Sequence, residues 1–125
     1  MTKSVLLVED EDSIALALQF LMQREGYDLR RARTGQEALD AIKAQAPDLV
    51  LLDLMLPGCS GYEVCQSIRR DPALSGTRIL ILTAKSGEIE KRKGLSLGAD
   101  AFVTKPFSTS ELKLTVRKLL NGDGG

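Results

Sequence analysis

Asp53 ends the apolar run Leu49-Val50-Leu51-Leu52 and is followed by Leu54-Met55-Leu56-Pro57-Gly58. A carboxylate at the mouth of a buried segment can serve as nucleophile or as metal ligand. Three other apolar runs also end in reactive groups. Val5-Leu6-Leu7-Val8 ends in Glu9-Asp10, Ile79-Leu80-Ile81-Leu82 ends in Thr83-Ala84, and Ala101-Phe102-Val103 ends in Thr104-Lys105-Pro106. Carboxylates gathered in one cleft repel one another and call for positive charge. Mg²⁺ fits such a set, because it takes oxygen ligands and accepts one or two carboxylates together with a phosphate. Lys105 adds a fixed ammonium and Thr83 a hydroxyl. These are the parts needed to stabilise a phosphoryl group in transfer, with Asp53 as the nucleophile that becomes an aspartyl phosphate.

For this chemistry the four run ends must meet, and the pattern between them says how. The run before Asp53 is short and bounded by Pro47-Asp48 and Pro57-Gly58, which predicts a strand covered on both faces. Between the runs the apolar residues take a helical period. Ile14, Ala17, Leu18 and Leu21 mark a first helix that stops at Gly26, and a weaker second strand is predicted over 28–32. Thr34-Gly35-Gln36-Glu37, Ser60-Gly61-Tyr62-Glu63 and Ser108-Thr109-Ser110-Glu111 each match a capping box that opens a helix. The fourth helix, over 88–97, carries one apolar residue in Glu88-Ile89-Glu90-Lys91-Arg92-Lys93 and should be the least firmly held. Alternating strands and helices predict an α/β fold, a doubly wound parallel sheet with helices on both faces. Its ligand site lies beyond the carboxyl ends of the strands, which is where Glu9, Asp10, Asp53, Thr83 and Lys105 all fall.

A length of 125 residues suits one domain, expected over 1–120, with 121–125 as a flexible tail or the start of a linker. With 17 basic and 17 acidic residues, the chain carries no electrostatic footprint for nucleic acid or an anionic membrane. The N-terminus does not read as a signal peptide and no apolar stretch is long enough to span a bilayer, so the expected location is cytoplasmic. Cys59 and Cys65 read as free thiols. The chain has no histidine, so a histidine phosphodonor would be expected on another molecule.

Taken in order, the motifs resemble the receiver domain of two-component response regulators over nearly the whole chain. Glu9-Asp10, Asp53, Thr83-Ala84 and Lys105-Pro106, with Leu56-Pro57-Gly58, Gly61 and Gly98-Ala99-Asp100-Ala101-Phe102, stand in that family's order and spacing. The resemblance implies a (βα)5 flavodoxin-like, CheY-like fold with five strands in the order 2-1-3-4-5. That order is taken from the family and not from periodicity. It further implies that Asp53 accepts phosphoryl from a sensor histidine kinase or histidine phosphotransfer protein. Mg²⁺ would be held by Asp10, Asp53 and the backbone carbonyl of Met55, with Glu9 reaching it through water. Lys105 would pair with the phosphoryl group, Thr83 and Phe102 would form the switch, and the Lys105–Pro106 bond would be cis. Met55 and Lys85 would tune the phosphoryl lifetime. The motifs look closest to receivers of the winged-helix transcription factor class, which dimerise through helix four, strand five and helix five. Lys91 and Glu111 match one charged pair of that dimer, whereas Ala101 and Thr115 depart from it.

Each group alone also has a plain structural reading, such as Glu9 and Asp10 serving as the negative charges of a helix N-terminus. Two rival functions are weaker. A phosphohydrolase of the haloacid dehalogenase type would need a second aspartate where Met55 stands. A Rossmann-type nucleotide site would need a Gly-rich turn where the chain has Glu9-Asp10-Glu11-Asp12.

Overall fold

The apolar runs form strands whose alternate residues enter two separate cores. The computed structural model describes residues 2–84 and 87–121, so Lys85 and residues 122–125 of the expected tail lie outside the described residues. In chain order the elements are β1 (Ser4–Val8), α1 (Asp12–Arg24), β2 (Asp28–Ala32), α2 (Gly35–Ala44), β3 (Leu49–Leu52) and α3 (Gly61–Arg70). A 3₁₀ turn (Pro72–Leu74) follows, then β4 (Arg78–Thr83), α4 (Glu88–Ser96), β5 (Ala101–Thr104) and α5 (Thr109–Leu120). The five strands pair in parallel in the order β2-β1-β3-β4-β5. The order reverses beside β1, so a crevice opens between the carboxyl ends of β1 and β3.

Leu6, Val8, Val50, Leu52, Ile79 and Ile81 face one side of the sheet, against Ala38 and Ile42 of α2 and Val64, Cys65 and Ile68 of α3. Val5, Leu7, Leu49, Leu51, Leu80 and Leu82 face the other, against Ala15, Leu18 and Met22 of α1 and Leu112, Val116 and Leu120 of α5. Parallel strands buried on both faces read as continuous apolar runs for this reason. Each Val, Leu, Ile or Met side chain among them contributes roughly 1.5–3 kcal/mol when fully buried. Cys65 is one of these core residues and Cys59 is half-buried, both as free thiols.

Thr34, Ser60 and Ser108 each accept a hydrogen bond from the backbone N–H three residues on, at 3.1, 3.3 and 3.3 Å. The reciprocal half of the capping box differs at α2, where the Glu37 carboxylate takes the N–H of Arg33, one residue before the cap. Helix α4 buries only Gly94, and Ile89 is exposed. A Cβ at Gly94 would stand 2.7 Å from Ile81 Cδ1 and 3.4 Å from Phe102 Cδ2, so the missing side chain is what lets α4 approach the sheet. Among the described residues no helix is long and apolar enough to cross a membrane.

Candidate functional site

Asp53 is the first residue beyond β3, and its N–H still donates to Val8 O of the neighbouring strand at 3.2 Å. Its two carboxylate oxygens are held separately. Oδ1 accepts the N–H of Met55 at 3.0 Å, and Oδ2 accepts from Lys105 Nζ at 3.0 Å. Gly61 fits this turn because a Cβ there would lie 2.7 Å from Leu54 Cα and clash with the Asp53 carbonyl oxygen. The N-terminus of α3 can therefore close directly onto the backbone of Asp53, with Gly61 N–H donating to Leu54 O at 3.1 Å.

Glu9, one residue past β1, is buried and fully engaged. Its Oε1 accepts from Lys105 Nζ at 2.8 Å and its Oε2 accepts the N–H of Glu11 at 3.1 Å. The reading of Glu9 as a charge at the start of α1 thus holds for one of its oxygens. Asp10 is exposed, and among the described residues its carboxylate makes no hydrogen bond or ion pair. One oxygen from each of Glu9, Asp10 and Asp53 lies within 4.8 Å of the others. Three carboxylates against one ammonium leave two unbalanced negative charges, and the donors are all hard oxygens. That is the charge and chemistry a divalent cation such as Mg²⁺ fits.

Lys105 follows β5 and bridges two carboxylates contributed by two other strands. Burial on its own would lower the ammonium's pKa, but hydrogen bonds and charge from Glu9 and Asp53 outweigh it and the pKa is raised. Lys105 N–H donates to Thr83 O at 2.8 Å, so β4 and β5 stay paired up to the site. Thr83 is fully buried at the end of β4, opposite Thr104. Phe102 is half-buried against the core covered by α2 and α3, beside Gly94 of α4, and the Lys105–Pro106 peptide bond is cis.

Glu9, Asp10, Asp53 and Lys105 thus meet at one crevice of the sheet. Residues 5–117 match the model of the response regulator receiver domain. The chain belongs to the response regulator receiver family. It is similar to a response regulator from Chloroflexus aurantiacus, with 36% identity, a TM-score of 0.92 and coverage of 97% of this chain and 99% of that one. The receiver domain of a signal transduction histidine kinase from Syntrophus aciditrophicus matches at 31% identity and a TM-score of 0.90, covering 98% and 93%. Chemotaxis protein CheY4 of Vibrio cholerae matches at 29% and 0.89, covering 96% and 100%. Receivers act in two-component signalling through phosphorylation on aspartate. They are switches more than enzymes, and they interact with histidine kinases or phosphotransfer proteins.

Two features of this receiver escape sequence reasoning. Tyr62 of α3 donates its hydroxyl to Glu90 Oε2 at 2.7 Å, and Lys93 Nζ sits 4.4 Å from its ring centroid, so α4 is tied to α3 at two points. Burial first, and then the bond to Glu90, push the Tyr62 phenol up to about 12. The other is Arg31 of β2, which grips the backbone of Glu9 and the carboxylate of Asp12. The hydrogen bond from Arg31, with the charge of Arg33, holds the Asp12 carboxyl below its ordinary value. Only helical spacing around Tyr62 and the acidity of the turn near Arg31 hint at either in the sequence.

Proposed function

We propose that Asp53 is the phosphoacceptor of this receiver and that its phosphorylation switches the surface formed by α4, β5 and α5. The observation that carries this reading is the geometry of Asp53: a nearly buried carboxylate, with one oxygen on a backbone N–H and the other on Lys105 Nζ at 3.0 Å. An oxygen of Asp53 attacks the phosphorus of a phosphohistidine on the partner. The P–O bond forms as the P–N bond breaks, and the imidazole leaves with that electron pair and takes a proton from solvent. The Lys105 ammonium follows the negative charge from the carboxylate to the phosphoryl oxygens. Asp10, Asp53 and the backbone carbonyl of Met55 would hold Mg²⁺, and Glu9, with both oxygens engaged, would reach it through water. When bound, the ion would supply positive charge against the negative charge that gathers in the crevice during transfer.

An apolar groove of about 530 Å³, lined by Ile14, Ala17, Ala84, Pro106 and Phe107, borders Lys105 and supports docking of the phosphodonor beside the nucleophile. In this reading Thr83 moves toward the phosphoryl group and Phe102 fills the space it leaves, which shifts α4. Exposed Lys91 on α4 and Glu111 on α5 support self-association through the same face. Residues 1–120 work as one switching domain, in the cytoplasm, where the donor kinase presents its phosphohistidine.

The test is covalent. With a small acyl or amido phosphate donor and Mg²⁺, the protein should gain a single acid-stable, base-labile phosphoryl group. Chelation, or Asp53→Asn, should abolish it. Uptake that persists in either case would overturn the reading.

A further inference from the structure

Asp10 is the one member of the acidic cluster whose side chain nothing in the described structure holds, so its direction depends on the backbone around it. On one side Glu9 N–H donates to Ala32 O at 3.0 Å. On the same residue's carbonyl converge two donors of Arg31, Nε at 3.1 Å and Nη2 at 2.9 Å. The third donor, Nη1, reaches Asp12 Oδ1 at 2.9 Å, at the first residue of α1. A single guanidinium thus fastens the Glu9–Asp10 peptide unit and the start of α1 to β2. Its side chain is 15% exposed, against 56% for Arg33, which touches the same Asp12 oxygen but not the Glu9 carbonyl.

We propose that Arg31 is a positioning residue for the metal site: its fork on the Glu9 carbonyl and Asp12 carboxylate aims Asp10 at Asp53. The inference rests on the reading of Glu9, Asp10 and Asp53 as a Mg²⁺ site. Charge alone gives the opposite sign. A cation beside a cation site repels the ion, so deleting Arg31 on electrostatic grounds should strengthen Mg²⁺ binding. If Arg31 acts by position, deleting it weakens binding although the site becomes more negative. Partners that orient a metal's ligands are commonly worth 10–100-fold in affinity, so a loss of about tenfold or more is expected. Lysine in its place keeps the charge but cannot span the carbonyl and the carboxylate with a rigid fork, and should also bind more weakly than wild type.

The experiment is calorimetric titration of Mg²⁺ into wild type, Arg31→Met, Arg31→Lys, Arg33→Met and Asp10→Asn, each shown by its unfolding transition in chelator to be folded. Arg33→Met deletes the same charge without touching the Glu9 carbonyl and should leave binding unchanged or tighter. Phosphoryl uptake from a small donor gives an independent readout. In Arg31→Met the Mg²⁺ concentration for half-maximal rate should rise while the rate at saturating Mg²⁺ is retained. Should Arg31→Met not fold, Arg31→Lys carries the comparison. Equal or tighter binding by the Arg31 variants, or equal weakening by Arg33→Met, overturns the inference alone, provided wild type binds and Asp10→Asn does not. Absence of Mg²⁺ binding by wild type overturns the metal-site reading and this inference with it.

Discussion

Replacing Lys105 by methionine keeps most of the stem and deletes an ammonium that lies 2.8 Å from Glu9 Oε1 and 3.0 Å from Asp53 Oδ2. The side chains it would abandon are 3% and 10% exposed, so two negative charges would remain nearly dry and facing each other. Removing one partner of a buried ion pair costs roughly 3–5 kcal/mol. The crevice opens to solvent on the Asp10 side, so the lower end, about 3 kcal/mol, applies. In a domain of this size each kcal/mol shifts the unfolding midpoint by about 4 °C, giving a fall of about 12 °C in chelator at neutral pH. Two further arms separate lost charge pairing from lost packing. Glu9→Gln in the Lys105→Met background should recover part of the loss, because one unpaired charge disappears. Mg²⁺ at a hundredfold excess over the wild-type dissociation constant should stabilise wild type by about 2.7 kcal/mol, and at that same concentration should stabilise Lys105→Met by more, since without a competing ammonium the variant binds the ion more tightly. Calorimetry or circular dichroism melting measures all of these. A midpoint within about 3 °C of wild type, which is less than 1 kcal/mol, would mean that the ammonium does not stabilise these two carboxylates. So would a loss that Glu9→Gln deepens.

Gly61→Ala forces a Cβ against the Asp53 carbonyl and Leu54 Cα, and should cost about 1–3 kcal/mol while slowing phosphoryl uptake, as melting and uptake kinetics will report. Tyr62→Phe removes the hydroxyl that holds Glu90, so amide hydrogen exchange should quicken in α4 while α3, anchored by Val64, Cys65 and Ile68, stays protected. In Tyr27→Phe, where Tyr62 is the remaining tyrosine, tyrosinate absorbance should rise with a midpoint at pH about 12, and Glu90→Gln should bring it lower. Thr83→Ala should still be phosphorylated at Asp53 but transmit little. Amide chemical shifts over 88–102 should respond to a phosphoryl mimic in wild type and much less in the variant.

The sheet and the residues around its crevice were legible because each signal is local. An apolar run that ends in a carboxylate, as at Val8-Glu9 and Leu52-Asp53, marks both a buried strand and the point where it ends at the crevice. Thr34, Ser60 and Ser108 announce helices through a bond that spans three residues. What stayed hidden is set by contacts across long stretches of chain. The Arg31 grip on Glu9 spans 22 residues and the Tyr62–Glu90 bond spans 28, and nothing in either neighbourhood names its partner. The same holds for Asp100, which accepts both Arg69 Nη2 and the N–H of Ile79 at 2.8 Å and so fastens the start of β4 to α3. Helix α4 shows both sides. Its charged composition correctly indicated little burial, but not that Gly94 would let it lie against Ile81 and Phe102.

The position of the phosphoryl group itself tests the assignment of Asp53 most directly. Reduction of an aspartyl phosphate by borohydride converts that residue to homoserine, which peptide mass spectrometry locates. After incubation with a small phosphodonor and Mg²⁺, a single homoserine is expected at position 53, absent when chelator replaces Mg²⁺. Homoserine at Asp10 or another carboxylate, or a phosphoryl group resistant to reduction on a serine or threonine, would contradict it.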